Sequence, residues 1–169
     1  MQKDIDIIIY GATGFTGQLC VKYFQSLNTG VKWAIAGRDQ EKLQKVALDN
    51  SLDVEILIAE SNDEAALDIL TSRATVILST TGPFHRYGSK LVASCVKNSA
   101  NYVDITGENF WVKGLIAKHH EEASEKGIRI IPSCGYDSIP SDLGVFYSAK
   151  ALNKPIKRIE SFHSWEGGA

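Results

Sequence analysis

Short apolar runs alternate with longer amphipathic segments along most of the chain. The first run, Ile5–Tyr10, is rich in β-branched residues and predicts a buried strand. The segment after it repeats its apolar residues at helical spacing and predicts a helix whose inner face carries Phe15, Leu19, Cys20, Tyr23, Phe24 and Leu27. Five further apolar runs predict strands at 31–36, 54–59, 74–79, 102–105 and 128–131.

The segments between these runs predict the remaining helices, at 40–48, 63–70, 89–97, 108–126 and 140–152. Asp39 has the side chain of a helix N-cap, and Pro140 suits the first turn of the last helix. Residues 156–162 predict one more strand. Strands that alternate with helices and are joined by short loops form a parallel sheet with helices on both faces. The predicted fold class is therefore α/β, with a doubly wound parallel sheet.

Glycine recurs at every third position after the first strand, at Gly11, Gly14 and Gly17. Gly11 would allow a sharp turn at positive φ, Gly14 a close approach of the backbone to a diphosphate, and Gly17 tight packing of the helix on the strand. The helix N-terminus adds unpaired N–H groups and a partial positive charge. Strand, glycine turn and helix together predict a nucleotide-binding Rossmann fold, and a purely structural turn is the alternative. The predicted cofactor contacts in this turn are Gly11, Ala12, Thr13, Gly14, Phe15, Thr16 and Gly17.

The end of the second strand discriminates between NAD and NADP. An acidic residue there binds the ribose 2′-hydroxyl, whereas an arginine pairs with a 2′-phosphate. The sequence has Arg38 at this point and Asp39 directly after it. A charge-assisted contact of roughly 1.5–3 kcal/mol changes affinity about 10- to 100-fold, so Arg38 predicts NADP. If Asp39 faced the ribose instead, NAD would be favoured.

The loop after the fourth strand is predicted to form a second cofactor surface. In a doubly wound sheet this strand neighbours the first, beside the point where ligands bind. Small, hydroxyl-bearing residues would let the backbone pass close to the nicotinamide ribose, and Pro83 would stiffen the turn. An ordinary strand-to-helix loop is the alternative. The predicted contacts are Ser79, Thr80, Thr81, Gly82 and Pro83.

The composition is that of one globular domain and excludes several functional classes. The chain has 169 residues, 44% of them hydrophobic, and a formal net charge of −2. It therefore carries no basic surface of the kind that binds nucleic acid. No apolar run approaches the roughly 20 residues that span a bilayer, and no signal peptide is recognisable. We expect a cytoplasmic protein with no transmembrane segment and no nucleic-acid partner.

The three cysteines are widely spaced and fit neither a disulfide framework nor a C-x-x-C metal site. Adjacent histidines on a helix point about 100° apart, so His119, His120 and Glu121 are interpreted as a solvated helix face. No metal site is therefore predicted. Cys134 would need a base or a lowered pKa to act as a nucleophile, and its sequence neighbours supply neither.

Five sequence motifs occur in order along the chain. They are YGATGFTG (10–17), AGR (36–38), TGPF with YG (81–84 and 87–88), YVDITGE (102–108) and CGYDSIPSD (134–142). Together they resemble the saccharopine dehydrogenase-like oxidoreductases, a family related to the trans-acting enoyl reductases of lipid biosynthesis. The resemblance implies an N-terminal NADP-binding Rossmann domain, here residues 1–152, with residues 153–169 as the start of a truncated substrate and dimerisation domain.

The same resemblance implies an amino-acid or lipid-linked small-molecule substrate, which the missing C-terminal domain would bind. It also implies a homodimer of the full-length protein, and for some relatives an association with membranes or lipid droplets. Relatives differ in activity, so the resemblance implies the cofactor more directly than the reaction.

Hydride transfer requires a positioned nicotinamide and a proton donor. The Tyr-x-x-x-Lys pair of short-chain reductases is absent, because none of the six tyrosines has a lysine four positions later. The densest polar cluster outside the cofactor loops is 133–138, where Tyr136 and Asp137 are candidates for proton transfer and a capping turn is the alternative. The same two interpretations apply to the residues after the fifth strand, namely Asp104, Thr106 and Glu108.

The sequence thus predicts the NADP-binding domain of a saccharopine dehydrogenase-like oxidoreductase. The full-length enzyme would transfer hydride between NADPH and an imine, amino-acid or enoyl lipid-type substrate, and this fragment alone would be inactive. The alternative is a non-catalytic NADP-binding sensor or scaffold, because no residue signature identifies the reaction.

Overall fold

A six-stranded parallel sheet is formed in residues 3–27, 30–152 and 154–164, which the computed structural model describes. The strands are β1 (Ile5–Tyr10), β2 (Trp33–Gly37), β3 (Glu55–Ile58), β4 (Ala74–Ser79), β5 (Asn101–Asp104) and β6 (Ile130–Ile131). They lie in the order β3–β2–β1–β4–β5–β6, and all five neighbouring pairs are parallel. The strand order reverses between β1 and β4, which is the switch point of a doubly wound sheet. The predicted fold class is confirmed.

Helices connect the strands at nearly the predicted positions. They are α1 (Phe15–Leu27), α2 (Gln40–Asp49), α3 (Glu64–Arg73), α4 (Phe84–Tyr87), α5 (Ser89–Lys97), α6 (Asn109–Glu125) and α7 (Ile139–Leu152). Asp39 is the N-cap of α2, as predicted, and its carboxylate accepts a hydrogen bond from the backbone N–H of Lys42. The single turn α4 was not predicted, because the glycine and proline before it indicated only a loop.

The core occupies both faces of the sheet. Side chains alternate along β1, so Ile8 packs with Leu67 and Leu91 from α3 and α5 on one face. Ile9 packs with Val21 and Leu43 from α1 and α2 on the other face. Because β1 is covered on both sides in the middle of the sheet, its carboxyl end is held rigidly where α1 begins.

The predicted inner face of α1 is wrong. Phe15 is 85% exposed, and Leu19, Tyr23 and Leu27 are exposed as well. The buried residues are instead Gly17 and Val21. Since Gly17 has no side chain, α1 approaches the β1 turn most closely at this residue, and the larger apolar residues are rotated away from the sheet. Of the predicted face, Cys20 and Phe24 pack partly against the core.

The end of the chain differs from the prediction. Residues 156–162 form no strand, because none of the six strands pairs with them. Helix α7 begins at Ile139, as expected, and has no buried residue. The expected boundary at 152/153 and the residues 165–169 lie outside the described part or at its margin, so the second domain stays a prediction. Among the described helices, none is long and apolar enough to cross a membrane.

Candidate cofactor site

A cavity of about 370 Å³ opens at the carboxyl edge of the sheet, where β1 and β4 end. It is lined by Tyr10, Gly11, Thr13, Gly14, Gly37, Arg38, Ser61, Thr80, Thr81, Gly82, Pro83 and Tyr87. Eight of these are predicted cofactor contacts, so the structure brings the glycine turn, Arg38 and the loop after β4 to one place. The other predicted contacts do not line the cavity; they are Ala12, Phe15, Thr16, Gly17 and Ser79.

Two of the three glycines are required by the protein itself. Gly11 has a φ of +90°, and a Cβ at this position would lie 2.4 Å from Oγ1 of Thr81. A Cβ at Gly17 would lie 2.2 Å from the carbonyl oxygen of Gly11. Any side chain at these positions would therefore force the β1 turn away from the loop after β4 or from α1.

Gly14 differs from both. A Cβ at Gly14 would have only one neighbour, the carbonyl oxygen of Gly11 at 3.4 Å, and this residue lines the cavity. No close packing in the described protein explains a glycine here. A ligand that passes directly over this backbone does explain it, which is the role expected of the middle glycine.

The turn also presents hydrogen-bond donors that the protein does not use. Among the described residues, no acceptor pairs with the backbone N–H groups of Thr13, Phe15 and Thr16, at the start of α1. The Oγ1 atom of Thr81 is buried and likewise has no hydrogen-bond partner there. Buried polar atoms are rarely left unpaired in native proteins. A helix N-terminus with free donors and a glycine cradle fits a diphosphate.

The two walls of the cavity are joined by one residue, Thr80, through its backbone and its side chain. Thr80 donates from its backbone N–H to the carbonyl oxygen of Tyr10 at 2.9 Å. Its hydroxyl lies 3.3 and 3.2 Å from the carbonyl oxygens of Tyr10 and Gly11. The loop after β4 is therefore fixed against the glycine turn by the backbone of β1.

Arg38 and Asp39 occupy different environments, which bears on the choice of nucleotide. The Asp39 carboxylate caps α2 and forms an ion pair with Lys42 Nζ at 3.1 Å. The hydrogen bond from the backbone N–H of Lys42 and the ion pair lower the pKa of Asp39. Arg38 is exposed and has no hydrogen-bond or ion-pair partner within residues 3–27, 30–152 and 154–164.

Arg38 also lies where two spaces meet. It lines both the cavity and an adjoining open groove of about 670 Å³, which is bordered by Asp39, Gln40, Glu41, Gln44 and Glu60. A nucleotide that extended from the glycine turn into this groove would bring its adenosine ribose beside the guanidinium. An unpaired guanidinium at this position suits a 2′-phosphate.

Comparison with known proteins identifies the family. A sequence model described as the saccharopine dehydrogenase NADP-binding domain matches residues 7–131. The chain belongs to this family. The domain is therefore an NADP-binding domain of the saccharopine dehydrogenase-like oxidoreductases, and the predicted cofactor is confirmed.

Curated relatives agree with this assignment. The chain is 35% identical over 182 residues to the human saccharopine dehydrogenase-like oxidoreductase, with 99% of this chain and 42% of the relative covered. It is 39% identical over 148 residues to the trans-acting enoyl reductase of Mycobacterium tuberculosis, with 86% of this chain and 35% of the relative covered. The chain thus spans less than half the length of these relatives.

Solved structures share the fold. The apo saccharopine dehydrogenase (L-Glu forming) of Saccharomyces cerevisiae has a TM-score of 0.71 at 17% identity and covers 88% of this chain and 31% of its own. A short-chain dehydrogenase/reductase of Veillonella parvula in complex with NADP has a TM-score of 0.52 at 11% identity and covers 76% of this chain and 66% of its own. At these identities the likeness concerns the fold alone.

Four residues that line the cavity were not predicted as cofactor contacts, namely Tyr10, Gly37, Ser61 and Tyr87. The first three lie at or just after the carboxyl ends of β1, β2 and β3, and this position in a parallel sheet was the available signal. Tyr10 donates from its hydroxyl to the carbonyl oxygen of Ala59 at 3.2 Å. Burial raises the pKa of Tyr10 to about 12, so this tyrosine is neutral at pH 7.

The candidates for proton transfer lie outside the cavity. Tyr136 and Asp137 are exposed in the turn before α7 and do not line it. Cys134 is half-buried, its Sγ lies 3.2 Å from the carbonyl oxygen of Ile131, and burial raises the pKa of its thiol. A raised pKa does not favour the thiolate that a nucleophile requires.

The residues at the end of β5 and directly after it form a buried network instead. The Asp104 carboxylate is 1% exposed and accepts hydrogen bonds from the Tyr102 hydroxyl at 2.8 Å and from the backbone N–H groups of Thr106 and Ser133 at 3.0 and 2.9 Å. Burial raises the pKa of Tyr102 well above its ordinary value, so its hydroxyl stays a donor. Asp104 thereby holds together the loops that follow β5 and β6.

No metal centre is present in the described residues, since no three His, Cys, Asp or Glu side chains converge there. The interpretation of His119, His120 and Glu121 as a solvated helix face is wrong for His119, which is buried on α6, whereas His120 and Glu121 are exposed. The two imidazoles therefore occupy different surroundings on α6.

Proposed function

We propose that this domain is the cofactor half of an NADP-dependent oxidoreductase, which transfers hydride between NADPH and an imine, amino-acid or enoyl lipid-type substrate. The observation that carries the proposal is the cavity itself. It combines a glycine with no packing reason of its own, unpaired donors at the start of α1 and an unpaired guanidinium. These are the features that a dinucleotide with an extra phosphate requires.

Each half of NADP has a set of residues that suits it. The turn from Gly11 to Gly17 would hold the diphosphate, and Arg38 would pair with the 2′-phosphate. The segment 79–83 would support the nicotinamide ribose, with the Thr81 hydroxyl as an available donor or acceptor. When bound, the nicotinamide supplies the hydride chemistry, and the domain supplies its orientation.

The substrate would be bound by a further domain. Residues 1–152 would form the cofactor domain and residues 153–169 the start of a substrate and dimerisation domain, in a cytoplasmic homodimer. The length of the curated relatives supports the presence of a further domain, because the chain covers 42% and 35% of them. Tyr136 and Asp137, in the turn before α7, would be near that domain and are the candidates for proton transfer. The names of the relatives, saccharopine dehydrogenase-like oxidoreductase and trans-acting enoyl reductase, support an amino-acid-type or enoyl substrate.

A titration with NADPH and NADH tests the cofactor assignment. We expect NADPH to bind about 10- to 100-fold more tightly, since one charge-assisted contact is worth roughly 1.5–3 kcal/mol. Arg38→Gln should remove most of this preference. Arg129→Gln changes the same charge at an exposed residue away from the cavity and should retain it. Tighter binding of NADH, or an unchanged preference in Arg38→Gln, would contradict the assignment.

A second function is supported by what the cavity lacks. Its described lining contains no lysine, histidine or carboxylate, so a tyrosine hydroxyl is the one acid or base that these lining residues offer. This favours a sensor or scaffold that binds NADP without turnover. NADPH oxidation by the full-length protein with a panel of imines and enoyl thioesters distinguishes the two. Tight binding without turnover on any of them would favour the sensor.

A further inference from the structure

Glu108 connects two loops that are distant in sequence. It follows β5, and its carboxylate accepts hydrogen bonds from the backbone N–H groups of Phe84 and His85 at 2.8 and 2.9 Å. It also lies 2.6 Å from Nδ1 of His85. These contacts span 23 and 24 residues of sequence, so no local pattern indicates them.

The two backbone donors are the first N–H groups of α4. The residue before them, Pro83, has no side chain that could cap the helix and makes no capping hydrogen bond. The first N–H groups of a helix have no partner inside it. Glu108 therefore acts as the cap of α4 from another loop.

Helix α4 is the support of one cavity wall. Residues 80–83, directly before it, line the cavity, and so does Tyr87 at its last position. Glu108 itself does not line the cavity. Phe84 is buried and stacks near Trp111, with ring centroids 6.0 Å apart. The cap therefore fixes the segment that would face the nicotinamide half of the cofactor.

The cap is anchored in the protein core. The backbone N–H of Glu108 donates to Oγ1 of Thr106 at 3.1 Å, and the backbone N–H of Thr106 donates to the Asp104 carboxylate at 3.0 Å. Asp104 is buried and bound to Tyr102. A chain of hydrogen bonds thus leads from the core, through Glu108, to the start of α4. Such support keeps a binding wall in one shape before the ligand arrives.

We propose that Glu108 is a positioning residue that holds residues 80–83 in the shape required by the nicotinamide half of NADP(H). The adenosine half is left to the glycine turn and Arg38. This inference rests on the proposed placement of the cofactor. It assigns Glu108 no contact with the cofactor or the substrate.

Calorimetric titration with two ligands tests the proposal on the whole chain. NADPH reaches both halves of the site, whereas adenosine 2′,5′-bisphosphate has the adenosine phosphates and lacks the nicotinamide. In Glu108→Ala, we expect the Kd for NADPH to rise about tenfold and that for adenosine 2′,5′-bisphosphate to stay within about twofold. Glu108→Gln keeps one acceptor oxygen and should give a smaller rise for NADPH.

His85→Ala is the matched control. It removes the imidazole and leaves both backbone donors of α4 paired with Glu108, so NADPH binding should stay within about twofold of the wild type. If His85→Ala lost as much affinity as Glu108→Ala, the contact between Glu108 and the imidazole, and not the helix cap, would be responsible, and the proposal would be overturned.

Two further outcomes also overturn it. One is wild-type NADPH affinity in Glu108→Ala, and the other is an equal loss for both ligands in a folded variant. If circular dichroism shows that Glu108→Ala does not fold, the Kd values of Glu108→Gln for NADPH and for adenosine 2′,5′-bisphosphate test the proposal instead. A wild-type chain that bound neither ligand would contradict the cofactor site itself, which is a different result from a variant that binds like the wild type.

Discussion

The two walls of the cofactor cavity are built in different ways. The wall from β1 and α1 has its three glycines within seven residues of sequence: Gly14 and Gly17 contact the same turn, and Gly11 also contacts Thr80 and Thr81 in the loop after β4. The wall before α4 depends on Glu108, which is 24 residues away from Phe84. The glycines of the first wall can therefore be recognised from a short sequence motif. The second depends on tertiary contacts that no short motif contains.

The local wall can be divided further by substituting its glycines one at a time. Gly17→Ala should have the largest effect, because the new Cβ would meet the carbonyl oxygen of Gly11 at 2.2 Å. We expect a loss of about 3 kcal/mol in the free energy of unfolding and no measurable NADPH binding, since overpacking against backbone is not easily relieved. Urea unfolding and NADPH titration measure the two effects.

Gly114→Ala is the control for this substitution. Gly114 lies in α6, is exposed, and a Cβ there would meet nothing within 4 Å. Alanine in a helix interior is favoured over glycine by roughly 0.5–1 kcal/mol, so this variant should be slightly more stable. Equal stability of Gly17→Ala and Gly114→Ala would show that α1 does not need the close approach at Gly17.

Gly14→Ala should weaken NADPH binding and leave the stability of the fold nearly unchanged. Its Cβ would have one ordinary contact at 3.4 Å, so the unfolding free energy should change by less than about 1 kcal/mol. NADPH affinity should nevertheless fall about tenfold or more, because the methyl group would occupy the space over which the diphosphate passes. A variant with lower stability and unchanged NADPH affinity would reverse the roles assigned to Gly14 and Gly17.

The same contrast explains how much could be predicted from the sequence. The alternation of apolar runs predicted all six strands, and each was found with its ends shifted by only a few residues. The strand–glycine–helix order predicted the cavity. The predicted inner face of α1 was wrong. The periodicity of Phe15, Leu19 and Tyr23 indicates an apolar stripe on the helix, but it does not indicate whether the sheet packs against that stripe. Contact with the sheet is decided instead by Gly17, which has no hydropathy signal.

The roles of Asp104 and Glu108 show a second limit of prediction from the sequence. Both were recognised as polar residues after a strand, with catalysis and structure as equal alternatives. Their partners are Tyr102, Thr106 and Ser133 for Asp104, and Phe84 and His85 for Glu108. Most of these contacts join separate loops, and the register of loops is set by the packing of the whole sheet. A residue pattern could therefore place these side chains at the correct edge and could not assign their partners.

A substitution at the amino edge of the sheet, opposite the cavity, should have the smallest effect of those considered. It tests whether the two edges of the sheet have separate functions. At the amino edge, the Arg73 guanidinium pairs with Asp4 at 2.6 Å and with Glu55 at 2.6 Å, and joins the beginnings of β1 and β3 to the end of α3. The hydrogen bonds from Arg73 lower the pKa of both carboxylates. A carboxylate with a lowered pKa stabilises the fold above its unfolded-state pKa, and the contribution is lost as the pH falls through the folded-state value.

Arg73→Met should therefore be less stable than the wild type at pH 7, and the difference should shrink as the pH falls through the lowered pKa values of Asp4 and Glu55, because protonation removes the charge that pairs with Arg73. Because all three side chains are partly exposed, added salt should also reduce the difference at pH 7. NADPH affinity at pH 7 should be unchanged, since this ion-pair cluster lies at the amino edge and the cavity at the carboxyl edge. Urea unfolding over a series of pH values from neutral to acid and an NADPH titration measure these effects. A stability deficit that did not change over the whole series would show that the packing of Arg73, and not its charge, supports this edge.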